Sequence, residues 1–147
     1  IRDSPEALCD YWRMSAMGGV LSGTMGVQGH YANGLAAIYL ATGQDVACVA
    51  ESAIGVTRFE LTPDNDLYAT VTLPGIMVGT VGGGTSLPSQ KASLDLMGLS
   101  GSGNARALAE VITSALLGGE LSIIGALSAG HFTRAHQKLA RETKEKP

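Results

Sequence analysis

Three histidines are the side chains of this sequence best suited to proton transfer near neutral pH: His30, His131 and His136. His131 and His136 are five residues apart, which turns them roughly 140° from each other on a helix, so they do not form a zinc pair of the HExxH type. His136 lies near the end of a predicted helix, where a positive imidazolium is favoured, and a partly protonated imidazole is a good general acid. Each histidine equally fits a purely structural role.

Three carboxylates interrupt apolar stretches and are candidates for a site. Asp45 follows an apolar helix and has apolar flanks, which predicts a half-buried side chain. A buried carboxylate needs a partner, but a helix-end cap is an alternative for Asp45, and Glu51 and Glu120 are open to the same two interpretations. Asn33, near His30, is a candidate polar anchor or else a capping or buried amide.

The segment GTVGGGT, Gly79 to Thr85, is the third candidate. Three consecutive glycines leave backbone N–H groups uncovered, which suits a phosphate or a carboxamide. The segment is not a P-loop, since no Gly-Lys-Ser/Thr follows, and it is not the dinucleotide pattern GxGxxG. By itself it fits a plain tight turn as well.

Composition limits the classes of protein that this chain can belong to. Its 147 residues suit one domain. The net charge of -3 excludes a basic nucleic-acid footprint. Cys9 and Cys48 form neither a metal motif nor a disulfide framework, which favours a reducing cytoplasm. The chain starts at Ile1 without a signal segment, so we expect a fragment of a longer protein, with processing as the alternative.

The first third of the chain is predicted to be mainly helical. Ser4 is a plausible N-cap and Pro5 a first helical residue of a short helix. Residues 15–29 are dense in Gly, Ser and Met, which favours a loop or strand-like backbone. Residues 31–42 have a helical apolar face, and Gly43 is expected to end or kink that helix.

The remainder combines β-rich and helical patterns, and therefore predicts an α+β fold with an antiparallel hairpin packed against several helices. Residues 56–61 and 67–73 alternate around a turn, and residues 76–81 are a further candidate strand. Helices are expected over 91–99, from the cap Asn104 to about residue 117, and from Glu120 to about residue 144, the last two separated or kinked at Gly118-Gly119.

Residues 111–130 form a run of 20 whose one charge is Glu120. A membrane-spanning helix needs about 20 apolar residues. A carboxylate at bilayer depth is costly, however, and glycines interrupt the run. We therefore expect a buried pair of helices in a soluble protein, with a membrane span as the alternative.

Four stretches together resemble the 3-hydroxy-3-methylglutaryl-CoA (HMG-CoA) reductase family. They are QGHYANGLAAIYLATGQD (28–45), DLYATVTLPGIMVGTVGGGT (66–85), NARALAEVITSALLGGELSIIGALSAGH (104–131) and HFTRAH (131–136). They occur in the order of the family, and the combination of GTVGGGT with the GQD aspartate is specific. The resemblance identifies residues 1–147 as part of the large, substrate-binding catalytic domain, without the small cofactor domain.

The resemblance implies a four-electron reduction of HMG-CoA to mevalonate and free CoA, with NADPH, or alternatively NADH, as the reductant and no metal. Asp45 matches the catalytic aspartate, and His136 matches the acid that protonates the departing CoA thiolate. The physical logic agrees, because a thiolate leaves better as the neutral thiol. The remaining matches are the polar substrate-pocket residues His30 and Asn33, the cofactor-facing turn of Gly82, Gly83, Gly84 and Thr85, and the apolar wall of Leu121, Ile124 and Leu127.

The resemblance also has departures. The family's catalytic glutamate and lysine motifs lie upstream of the region represented here. No lysine precedes Lys91, so Arg13 is the nearest cation for the substrate carboxylate, which an arginine can hold bidentately. The family's site lies at a dimer interface, which predicts a homodimer. Two alternatives stay open: a non-catalytic acyl-CoA-binding remnant of the fold, and a small membrane protein anchored by residues 111–130.

Overall fold

The computed structural model describes residues 3–133 and 137. This part of the chain is α+β, as predicted, and combines helices with one antiparallel two-stranded sheet. In chain order the elements are α1 (Pro5–Leu21), α2 (Tyr31–Thr42), α3 (Val49–Ser52), β1 (Val56–Leu61), β2 (Leu67–Thr72), α4 (Pro88–Leu96) and α5 (Ala105–Ser128), with short 3-10 turns at Val46–Cys48 and Gly83–Ser86.

Helix α1 begins as its sequence predicts and ends later than expected. The Ser4 hydroxyl accepts a hydrogen bond from the N–H of Ala7, and Pro5 occupies the first turn. The helix then continues for 17 residues to Leu21, so the loop or strand-like backbone predicted over 15–29 is wrong for its first half. Met, Ala and Leu are good helix formers, and here they outweigh the two glycines within the helix.

Helix α2 and the hairpin agree with their sequence patterns. Residues 31–42 are helical, and Gly43 ends the helix in the left-handed conformation, with φ of 71°. Strands β1 and β2 pair antiparallel from Val56–Thr72 to Leu61–Leu67. Residues 76–81, however, form no strand, because side chains satisfy their backbone. The N–H groups of Met77 and Gly79 donate to Ser52 Oγ and Gln44 Oε1.

The last third contains one long helix in place of the predicted pair. Helix α5 is continuous through Gly118 and Gly119 to Ser128, so the expected separation into two helices is wrong. Asn104 holds the N-cap position, but its side chain caps no N–H and its amide donates to the carbonyl of Ser100 instead. The predicted extension of this helix to residue 144 is interrupted at Gly130, and most of it lies outside the described residues.

Helix α5 packs into two apolar clusters and joins them. The first lies between α2, α4 and α5, and the second between α1, β1 and α5. Full burial of each large apolar side chain contributes about 1.5–3 kcal/mol. The most buried members of the two clusters are Tyr31, Leu35, Tyr39, Leu94, Leu108, Ile112 and Leu116 in the first, and Leu8, Cys9, Phe59 and Ile124 in the second.

By length and composition α5 is also apolar enough to cross a membrane, and 28% of its most apolar window is buried. The core helix of a soluble protein meets the same criteria, so the helix by itself does not distinguish the two cases.

Candidate functional site

The Glu120 side chain, in the middle of α5, is fully buried and accepts hydrogen bonds from four groups. Its oxygens lie 2.8 and 3.0 Å from the N of Gly29 and 2.8 Å from the N of His30. They also lie 2.6 Å from His30 Nδ1 and 2.7 Å from Thr57 Oγ1. A buried carboxylate is tolerated when donors surround it in this way. The partner that a buried carboxylate was expected to need is therefore found at Glu120.

The donors around Glu120 extend into a chain of hydrogen bonds. Thr57 has one hydroxyl hydrogen, and that hydrogen is directed at Glu120. The Tyr31 hydroxyl, 2.7 Å from Thr57 Oγ1, is therefore the donor to Thr57. Burial raises the pKa of the Tyr31 phenol, which keeps this donor protonated across the physiological range. The indole of Trp12 donates to the carbonyl of Thr57 at 2.7 Å and connects α1 to the same point.

The His30 ring lies in a slot between two glycines. His30 is the N-cap residue of α2, and its side chain is 17% exposed. A Cβ on Gly119 would overlap the ring at Nε2, and a Cβ on Gly34 would overlap Leu116 and lie 3.5 Å from the same nitrogen. The absence of side chains at these two positions therefore allows the ring to lie between α2 and α5.

The other end of α2 contacts the glycine turn. Gly43, in the left-handed region, lies so close to Gly84 that a Cβ on Gly43 would overlap the carbonyl group of Gly84. Gln44 fixes the same contact through its amide, whose nitrogen donates to the carbonyl of Gly79 at 2.9 Å. The amide oxygen accepts from the N–H of Gly79 at 2.7 Å. Backbone packing and one amide thus hold the end of α2 against residues 79–85.

Asp45 is the first carboxylate after this contact. Its side chain is exposed, so the prediction that it is half-buried is wrong in this structure. The reason is local, because Oδ1 accepts a hydrogen bond of 2.9 Å from the N–H of Ala47 and caps the turn Val46–Cys48. The cap alternative describes this contact, and the carboxylate remains accessible beside the glycine turn.

The glycine turn is exposed where its backbone is most unusual. Gly82 and Gly83 have φ of 80° and 54°, which favour glycine. A Cβ on either residue would contact nothing in the described chain, so the space beside them is open. Among the described residues their N–H groups have no acceptor. Thr85 is buried and closes the turn by donating from Oγ1 to the carbonyl of Gly82 at 2.6 Å. An open surface with free N–H groups fits a flat carboxamide-bearing ring.

The other predicted site residues occupy varied surroundings. Asn33 is exposed on α2, one turn after His30. Arg13 is exposed on α1 and paired with Asp10. His136 lies outside the described residues. The apolar residues Leu121 and Ile124 face the cluster between α1, β1 and α5, while Leu127 is half-buried.

The structure therefore assembles two groups rather than one. His30, with Asn33 one turn later, lies at the beginning of α2, and Asp45 with the glycine turn lies at its end. Twelve helical residues separate them, which corresponds to about 18 Å. Sequence reasoning identified members of both groups but did not connect Glu120 with His30. The available signal was a single charged residue within a run of 20 mostly apolar ones.

Comparison with known proteins assigns a common family to these features. The sequence model of hydroxymethylglutaryl-coenzyme A reductase matches residues 1–141. A 3-hydroxy-3-methylglutaryl-coenzyme A reductase of Pyrococcus horikoshii is 43% identical over 96% of this chain and 36% of its own length. One of Methanocaldococcus jannaschii is 44% identical over 96% and 35%. One of Dictyostelium discoideum is 49% identical over 86% and 24%. The chain thus spans about a third of the archaeal relatives it matches.

Proposed function

The chain belongs to the hydroxymethylglutaryl-coenzyme A reductase family, and from that premise we propose that the protein reduces HMG-CoA to mevalonate and CoA with NADPH. The observation that carries the proposal is the close packing of Gly43 against Gly84. This contact holds the candidate aspartate beside the candidate cofactor turn, although about 40 residues of sequence separate them.

The end of α2 is suited to the reductive part of this chemistry. A bound nicotinamide cofactor would supply the hydride, and Gly82 and Gly83 offer an open surface with free N–H groups for its carboxamide. The alkoxide that forms on the substrate requires a nearby proton donor or cation. In this proposal Asp45 belongs to the group that delivers the proton, since its carboxylate is exposed next to the turn.

The beginning of α2 is suited to recognition of the substrate. His30 and Asn33 are polar and lie one turn apart on an otherwise apolar helix. Arg13 supplies a cation for the carboxylate of the acyl group, provided that its pairing with Asp10 is exchanged for the substrate. His136 would protonate the CoA thiolate, as the resemblance implies.

The proposal is tested in the full-length protein by following the oxidation of NADPH with HMG-CoA as substrate. We expect Asp45→Asn to lower kcat at least 100-fold, a loss typical for a group that transfers protons in the transition state. The matched control is Asp64→Asn, which alters an exposed carboxylate in the hairpin turn and should leave kcat within a factor of two. Equal activity of the two variants would contradict the role of Asp45. Binding of CoA without turnover by the unaltered protein would favour the acyl-CoA-binding alternative.

We also propose that the protein is a homodimer. The end of α1 and the following loop expose a group of large apolar side chains, an arrangement that favours contact with another protein surface. They are Met14, Met17, Val20, Leu21 and Met25, all more than 60% exposed. Light scattering on the full-length protein should give twice the mass of one chain, and Val20→Lys with Leu21→Lys should halve it. An active monomer would contradict this proposal.

A cytoplasmic protein without a membrane span in this chain is the remaining proposal. Its support is Glu120, whose four hydrogen-bonding groups come from β1 and from the loop before α2. Those contacts would be lost if α5 left the domain to cross a bilayer, and the bare carboxylate would be costly there. Cell fractionation should recover this chain, expressed alone, in the soluble fraction, whereas recovery only with detergent would favour the membrane alternative.

A further inference from the structure

We propose that Glu120 is a positioning residue for His30: it fixes the tautomer and the orientation of the imidazole, so that Nε2 is the ring nitrogen left to meet a polar group of the substrate. The inference rests on the proposed function, which assigns His30 to the substrate pocket. It concerns a residue of α5 that is fully buried and touches no substrate itself.

The tautomer follows from the inventory of donors and acceptors. An ionised carboxylate only accepts hydrogen bonds. Glu120 already accepts from the N–H groups of Gly29 and His30 and from the hydroxyl of Thr57. The nitrogen of His30 that lies 2.6 Å from Glu120 Oε1 must therefore carry a hydrogen. In the neutral ring the second nitrogen, Nε2, is then an acceptor, and it becomes a donor when the ring is protonated.

The orientation follows from three constraints on one residue. The backbone N–H and the ring of His30 both bind the same carboxylate oxygen, which ties the rotation of the side chain to the start of α2. The ring also fills the slot over Gly34 and Gly119. Among the described residues Nε2 has no hydrogen-bond partner. A ring held in this way meets a ligand without first losing conformational freedom.

The Glu120 carboxylate is itself held in place by hydrogen bonds at its second oxygen, Oε2. Thr57 donates to Glu120 Oε2, and Tyr31 donates to Thr57, so the chain of hydrogen bonds runs in one direction toward the carboxylate. The hydroxyl hydrogens of Tyr31 and Thr57 are therefore both used within this chain of hydrogen bonds. The Glu120 carboxylate acts only as a hydrogen-bond acceptor, and this requires a hydrogen on His30 Nδ1.

Replacement of Glu120 by Gln changes this property with little change in volume. An amide has one acceptor oxygen and one donor nitrogen in place of two acceptors. The ring and the N–H of His30 share Oε1, and Thr57 binds Oε2. An amide nitrogen in the place of Oε1 would face the N–H of His30, so the nitrogen takes the place of Oε2, where the Thr57 hydroxyl can turn to accept from it. The ring then keeps its hydrogen on Nδ1 but bonds to a neutral oxygen in place of a charged one, so its orientation is held less firmly.

The experiment compares two variants of the full-length protein in the reduction of HMG-CoA by NADPH. Glu120→Gln should lower kcat/KM by about 10- to 100-fold, the usual range for a group that orients a functional histidine. The matched control is Glu110→Gln on the same helix, whose carboxylate is exposed and pairs with Arg106. That variant should stay within a factor of two of the unaltered protein. If Glu120→Gln keeps full kcat/KM while folded, the inference is overturned.

A second measurement reads the ring directly and needs no variant. In the unaltered protein, 15N chemical shifts of the His30 ring should report a protonated Nδ1. An unprotonated Nδ1 in the unaltered protein overturns the inference even if the variant does not fold. If the unaltered protein fails to reduce HMG-CoA, the proposed function fails, and the ring spectrum still decides whether Glu120 sets the tautomer.

Discussion

The two ends of α2 are fixed by opposite means. At its beginning, a buried carboxylate on α5 gathers side-chain and backbone donors around His30. At its end, Gly43 contacts the backbone of Gly84, and the amide of Gln44 forms two hydrogen bonds with Gly79. One end is therefore organised mainly around a buried charge and its hydrogen bonds, and the other mainly by close packing of two backbone segments.

This difference separates what each end can tolerate. A hydrogen-bonded charge depends on the chemical identity of each partner, so single atoms matter at the beginning of α2. Backbone packing depends on space and on a left-handed conformation, so volume matters at its end. Substitutions that add one methyl group or remove one hydrogen-bonding group test the comparison.

The largest loss of stability is expected for Gly43→Ala. Its φ of 71° is strained for alanine, and the new Cβ would overlap the backbone of Gly84, which cannot move aside as a side chain would. We expect the free energy of unfolding to fall by about 3 kcal/mol, as measured by urea denaturation. A loss below about 0.5 kcal/mol, the usual limit for an unconstrained surface position, would show that the turn yields to the added volume.

Gly119→Ala should cost about 2 kcal/mol, because the added Cβ displaces the His30 ring and so weakens its bond to Glu120. The neighbouring Gly118 is the matched control, since a Cβ there contacts nothing in the described chain. Gly118→Ala should stabilise the protein by about 0.5–1 kcal/mol through helix propensity alone. Thermal denaturation of both variants checks the pair, and equal effects would contradict the slot around His30.

Gln44→Ala should reduce stability by about 1–2 kcal/mol, because it leaves both the N–H and the carbonyl of Gly79 without their partner. Both groups are partly buried, and water can replace part of what is lost. Amide hydrogen exchange at Gly79 is the direct measurement and should accelerate. Unchanged exchange at that position would mean that the amide does not hold the glycine turn.

The smallest effect is expected for Tyr31→Phe, at about 1 kcal/mol. The phenol donates to Thr57 at the far end of the chain of hydrogen bonds, and Thr57 still donates to Glu120 when the phenol is absent. The proposed reduction of HMG-CoA by the full-length protein should therefore change less than in Glu120→Gln. Tyr31→Phe activity as low as that of Glu120→Gln would mean that the whole network, and not the carboxylate, positions His30.

Local patterns predicted the elements of this fold well where they were self-contained. Both bounds of α2, the left-handed Gly43 and the hairpin were correct, because helical periodicity, a C-cap glycine and a turn sequence each act over a few residues. The strand expected over 76–81 failed because distant side chains, those of Gln44 and Ser52, take up its backbone groups. The separation expected at Gly118-Gly119 was wrong. Gly119 makes room for the His30 ring within a continuous helix, and the sequence around Gly119 gives no sign of that contact.

The residue types of the candidate site could be predicted from the sequence, but their arrangement in space could not. His30, Asp45 and the glycine turn could be proposed from the sequence, since their chemistry is evident from residue types and from the family resemblance. The exposure of Asp45 could not be predicted, because its side chain caps the following turn instead of being buried. The tie between Glu120 and His30 depends on two helices meeting, which a pattern within either helix does not contain.

The carboxylate of Glu120 also bears on how the chain folds. It binds N–H groups 90 and 91 positions earlier in the sequence, so the entrance to α2 is completed by a segment that the ribosome makes much later. Long-range closures of this kind slow folding, because the entropy of a large loop is lost before the contacts form. Helix α2 and the hairpin can form early from local contacts, whereas the neighbourhood of His30 becomes ordered only when α5 docks. The ordering of the His30 side chain is therefore a late step in folding. A chain interrupted before residue 120 would contain His30 without Glu120.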